Sequence, residues 1–169
     1  MMVKDLLIGV PGELPPLPRE ENPFLNTDAL VGAQITRILV DVLGGVVGVL
    51  LELRQSSRLR GTTALLRVTG VVQQNWLSTR TANEFTAWSI SGAAVHQGEK
   101  EFQLVVDCLP VGTLRVVGSA ADFTLLQANA LDVPPPDYRS DPRALIRFGI
   151  ATESTEVDPI GVARSAGSR

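Results

Sequence analysis

A chain of 169 residues is long enough to bury a core of its own, and 44% hydrophobic with 20% charged residues is the balance of a folded protein, not a disordered one. A net charge of −3 with no basic stripe argues against nucleic acid as a partner. The single cysteine, Cys108, excludes an intrachain disulfide and fits a reducing compartment.

Residues 1–10 hold an apolar run too short for a secretory signal and broken by Asp5. The apolar run 42–51, bracketed by Asp41 and Glu52, is far short of a membrane span. Both features predict a cytoplasmic protein without membrane contact. Residues 11–23 (PGELPPLPREENP) form a proline-dense arm. Its stretch 14–19 suits polyproline II, the form that proline-binding modules take up, but a lead-in lying over the domain surface is the simpler reading. Asn26-Thr27-Asp28 offers capping side chains for a short helical turn before Ala29.

The runs 34–43 and 46–54 flank Gly44-Gly45, which suits a two-residue hairpin turn. That turn sets Ile38 opposite Leu51, Val40 opposite Val49 and Val42 opposite Val47 on an apolar face, with Arg37 opposite Glu52 on the other. A one-residue slip would mix the faces. A helix over 30–54 is disfavoured, because glycines 44, 45 and 48 would each cost about 1 kcal/mol against alanine. A second hairpin is expected at 102–117, with a three-residue loop at Pro110-Val111-Gly112. It pairs Asp107 with Arg115, Cys108 with Leu114 and Val106 with Val116. Residues 62–72 and 84–91 read as further strands, 119–122 as a turn or cap before the apolar run 123–126, and 134–136 as a breaker. Residues 144–150 read as a strand with Ile146, Phe148 and Ile150 on one face, and 161–169 as a tail.

These elements predict an all-β, mainly antiparallel fold, a sandwich or partly open barrel with at most one or two short helices. The expected organisation is a proline-rich N-terminal arm (1–29), a single β domain (30–150) and a C-terminal tail (151–169).

The sequence offers no catalytic, cofactor-binding or metal-ligating set. His96 reads as a loop histidine, with no serine or cysteine marked as its partner and no G-x-S-x-G elbow. Cys108 is turned inward by the second hairpin, where a thiol is inert. Asp41 and Glu52 are explained by a ladder of surface charges with Arg37. Asp137, Asp141 and Glu153 lack the spacing of a calcium loop. The basic cluster Arg54, Arg58, Arg60 and Arg67 reads as a solvated strand end. Three aromatic residues remain as candidate anchors for a partner: Trp76, Trp88, and Tyr138 within the stiff segment 133–142 (VPPPDYRSDP).

Asp41-Val42-Leu43 with residues 47–54 (VGVLLELR), then Thr86-Ala87-Trp88, and later residues 134–138 (PPPDY) with 144–147 (ALIR), resemble a family of uncharacterised bacterial β proteins over residues 30–150. The resemblance implies a β fold and no activity, cofactor or site residue. The expected function is a non-catalytic protein-binding module, immunity-like or an accessory factor. The alternatives are a structural subunit of a larger assembly and, third, a small hydrolase using Asp41, Glu52 or His96.

Overall fold

Alternating and fully apolar runs become strands throughout. A computed structural model describes residues 1–79 and 85–167, and among these it contains nine strands. They are β1 (Gln34–Asp41), β2 (Val46–Glu52), β3 (Thr63–Thr69), β4 (Gln73–Ser78), β5 (Trp88–Gln97), β6 (Phe102–Leu109), β7 (Gly112–Gly118), β8 (Ala120–Gln127) and β9 (Asp158–Arg164). Each ladder between neighbours is antiparallel, in the order β4-β7-β6-β5-β1-β2-β3-β8-β9. Two short helices, α1 (Val3–Ile8) and α2 (Arg143–Phe148), and three single 3-10 turns complete the described secondary structure. The chain is therefore mainly antiparallel sheet, as its patterning predicts.

The sheet curls back on itself. β3 runs into β4 through residues 70–72, and β7 runs into β8 through Ser119, so the two bent strands pair along almost their whole length. The register slips by one residue where they bend, from Thr69↔Ala120 to Gln73↔Val117. Gly70 makes the bend possible: its φ is +61°, and a Cβ there would stand 2.2 Å from the Ser119 hydroxyl. Closure into a barrel is nevertheless incomplete. β1 and β5 share only two residue pairs, Gln34↔Ser89 and Ile35↔Trp88, which leaves a seam.

The inner face of the curl carries the main core, including Ile35, Val49, Leu51, Leu66, Leu104, Val106, Leu114 and Phe123. A second cluster lies outside β2, β3 and β8, where Leu50, Leu65 and Leu126 meet Val3 and Leu6 of α1 together with Leu131, Ala151 and Val157. Complete burial of such a side chain contributes about 1.5–3 kcal/mol. The proline-dense arm crosses the far edge of the sheet. Pro16 bridges Val162 of β9, Leu17 N–H donates to the Val162 carbonyl, and Val162 N–H donates to Pro15.

Several local expectations need correction. The first hairpin has a four-residue connection, 42–45, and pairs Ile38 with Val49 and Val40 with Val47; a bulge at Thr36 then sets Ile35 against Leu51. The faces are those expected, but the register lies two residues away, so Arg37 opposes Leu50 rather than Glu52. Asp41 Oδ1 accepts the Gly44 N–H at 3.0 Å and shapes the longer turn. The second hairpin likewise pairs Cys108 with Gly112, Asp107 with Thr113 and Val105 with Arg115. Asp107 accepts from the Thr113 hydroxyl at 3.0 Å instead of meeting Arg115.

Residues 120–122 continue the β8 strand rather than capping it, because Ala121 and Asp122 are drawn into the ladder with Val68 and Arg67. Residues 143–148 are helical, with Ile146 buried and Phe148 exposed. The stretch expected as a tail supplies the end of β9 through Arg164. His96 lies on β5 and is exposed, not in a loop. Glu84 of the expected strand 84–91, and residues 168–169, lie outside the described residues. No described helix is long and apolar enough to cross a membrane.

Candidate functional site: the seam between β1 and β5

Beyond Ile35 the two strands part. The chain entering β5 (residues 85–87) and the segment 133–150 line a cleft of about 350 Å³ beside β1. Its walls include Ile35, Arg37, Phe85, Trp88, Tyr138 and Arg147. A neighbouring trough of about 800 Å³ shares Phe85, Thr86, Tyr138 and Ile146 with it and adds Arg139, Asp141 and Arg143. A third, smaller recess joins Ile35 and Arg37 to Ile38, Trp76 and Trp88. These openings share walls and form one continuous surface along the seam.

The two tryptophans meet edge to face, with ring centroids 5.1 Å apart and planes at 85°. Both are half-buried and packed against the main core. Gly112 passes beneath them, and a Cβ there would stand 2.9 Å from the Trp88 ring and 3.0 Å from the Trp76 ring. Gly112, expected in the hairpin loop, instead begins β7 and serves the close passage of a strand under two indoles.

The segment bearing Tyr138 is fixed from below by Arg54. Its guanidinium donates to Glu52 through Nε at 2.8 Å and Nη2 at 2.6 Å. The remaining donors reach the carbonyls of Leu131 (3.1 Å), Val133 (2.8 Å) and Gly149. Both side chains are nearly inaccessible, so the pair is a desolvated clamp between sheet and loop. Burial pushes the Tyr138 phenol above its ordinary 10, the Glu52 charge adds to this, and Arg54 partly offsets it. The turn itself is tied by Asp137, which accepts the Arg139 N–H at 2.8 Å, and by Asp141, which accepts the Asp137 N–H at 2.7 Å. The Arg139 N–H first, then the Ser140 hydroxyl, hold the exposed Asp137 carboxyl below its usual range.

Cation and ring stack at the rim. The guanidinium carbons of Arg143 and Arg147 lie 5.2 Å and 4.8 Å from the Phe85 ring centre. Arg37 Nη1 lies 3.4 Å from Glu153 Oε2, but Arg37 Nε is buried without a hydrogen-bond partner among the described residues.

Trp76, Trp88 and Tyr138, the aromatic residues singled out from the sequence, all border this seam. Sequence reasoning missed Phe85, Arg37, Arg143 and Arg147. The last two carried a usable signal, a four-residue spacing that puts both on one helix face, hidden by reading 144–150 as a strand.

The residues considered for hydrolysis are not brought together. Glu52 lies opposite Gln34, seven residues along β1 from Asp41, roughly 20 Å at strand rise. His96 is seven residues along β5 from Ser89, the partner of Gln34, again roughly 20 Å and in the direction away from Asp41. Cys108 is buried, and desolvation with the nearby Asp107 charge pushes its thiol up to about 11. In the basic cluster, three guanidiniums engage carboxylates: Arg54 with Glu52, Arg60 with Glu21 and Arg67 with Asp122. Among the described residues no group of three or more His, Cys, Asp and Glu side chains is placed to hold a metal ion. No protein-family model matches the chain, and no curated protein matches it significantly.

Proposed function

We propose that the protein is a non-catalytic binding module that engages another protein through the β1–β5 seam. The observation that carries this reading is that Trp76, Trp88, Tyr138 and Phe85 line adjoining openings along one seam. Half-buried aromatic side chains on rigid backbone offer large contact area at small entropic cost, and such residues dominate binding energy at interfaces. The clamp by Arg54 keeps the Tyr138 wall in place before a partner arrives. Immobilised protein should capture a partner from lysate of its source, and Tyr138→Ala bait of unchanged thermal stability should lose it. Equal capture by both baits, or none by the natural protein, would refute the reading.

A second reading, a subunit of a larger assembly, is favoured by the tip of the β1–β2 hairpin. There Val40, Val42 and Leu43, with Val72 from the β3–β4 bend, stand exposed together beside one groove. Light scattering at high concentration tests it: a strict monomer excludes self-assembly.

A further inference from the structure

The charges around the seam say what kind of segment it takes. The chain as a whole is acidic, at net −3, yet Arg37, Arg139, Arg143 and Arg147 all line the two adjoining clefts, opposed there by Asp141 and, beside Arg37, by Glu153. Arg37 is the most telling of these. Its Nε–H is buried and unanswered among the described residues, and Glu153 Oε2, although 3.4 Å from Nη1, makes no hydrogen bond either. The rest of the guanidinium is not closed off, since the Arg37 side chain is 30% exposed, so an incoming carboxylate can pair with its solvent-facing side while Glu153 stays on the other. At the other end, Arg143 and Arg147 flank the Phe85 ring, so a second carboxylate there would sit beside an aromatic wall. Between the two ends lie apolar walls from Ile35, Trp88 and Ile146.

We infer that the seam recognises an acidic peptide segment in which carboxylates flank an aromatic or aliphatic side chain. The apolar side chain enters the cleft between Trp88 and Ile146, and the carboxylates meet Arg37 on one side and Arg147 on the other. This inference rests on the seam being a protein-binding site and adds the chemistry of the bound segment.

The test is selection from a displayed library of random dodecapeptides against the natural protein, with Arg147→Glu and Arg37→Gln proteins as counter-targets. Arg147 is exposed on α2, so its variant is expected to fold, and the thermal midpoint checks both variants. Enriched peptides should carry Asp or Glu on either side of an apolar residue. They should bind the Arg147→Glu protein about tenfold or more weakly, as loss of a charge-assisted contact requires, and weaken further with added salt. Enrichment of uncharged or basic peptides, indifference to both substitutions, or no enrichment would overturn the inference. So would benzoate binding as tightly as the selected peptides, which would mark a small-molecule site. Capture from lysate distinguishes failure of the binding site from failure of its acidic specificity. A partner lost with Tyr138→Ala but retained with Arg147→Glu leaves the binding module standing and removes its acidic ligand.

Discussion

The two halves of the curled sheet solve the problem of burial differently. β2, β3 and β8 are covered on both faces, inside by the main core and outside by α1 and the segments around Leu131, Ala151 and Val157. They are accordingly almost continuously buried, and the polar residues within them, such as Thr63, Asp122 and Thr124, are buried too. β6 and β7 are covered on one face only, so apolar and polar positions alternate and burial alternates with them. β1 borders the first half, buried at its start (Gln34, Ile35) and exposed by its end (Val40, Asp41), and β5 borders the second; the two are joined by only two residue pairs. The seam lies where the doubly covered and singly covered parts of the sheet meet without enough common edge to close, and the aromatic residues border that opening.

Four measurements bear on the two halves and on the seam between them. The largest effect is expected at the clamp below the seam. Arg54→Ala leaves Glu52 buried without its partner and unties three carbonyls of 131–149, for a loss of about 3–5 kcal/mol in denaturant unfolding. A loss below about 1 kcal/mol would mean the pair does not hold the loop.

Next come two residues on the outer face, one in each half. Leu65→Ala should cost about 2–5 kcal/mol, since Leu65 is buried beneath the outer cluster. Val105→Ala, at an outward position of β6 that is only partly buried, should shift stability by about 0.5 kcal/mol or less. Equal costs would erase the distinction between the halves.

Third, Gly112→Ala forces a methyl against both indoles, with about 1–3 kcal/mol lost and a shift in tryptophan emission. Unchanged emission would remove the argument for a packed Trp76–Trp88 pair.

The smallest effect is a pH dependence from Cys108. Its folded pKa, about 11, stands above the ordinary 9.0, so the unfolded chain ionises first. Its contribution is complete below pH 9 and is lost as pH rises towards 11, so stability should fall across that window and less so in Cys108→Ala. Native protein at pH 8 should also resist thiol reagents until unfolded, whereas rapid labelling would contradict a buried thiol.

Much of the fold was legible because strand patterning reports faces directly. The residues sharing one face of the first hairpin, Ile38 and Val40 with Val47 and Val49, follow from apolar alternation. Alternation fixes register only to within steps of two, and the charge pairs used to choose among those steps misled. Arg37–Glu52 and Asp107–Arg115 would be surface pairs contributing about 0–1 kcal/mol, too little to oppose burial of Glu52 on Arg54. The helix at Arg143–Phe148 escaped notice because Ile146, Phe148 and Ile150 alternate like a strand, although only Ile146 of the three is buried. At the seam, the aromatic residues were visible by type. Their convergence was not, because Trp76, Trp88 and Tyr138 come from β4, β5 and the loop before α2, and curling of the sheet joins them.

The proposed docking of a partner at this seam is read out by amide hydrogen exchange, with and without the captured partner. Protection should concentrate at residues 35–38, 85–88 and 138–147. Protection confined to the arm and β9, or to the covered outer face at α1, would contradict the account.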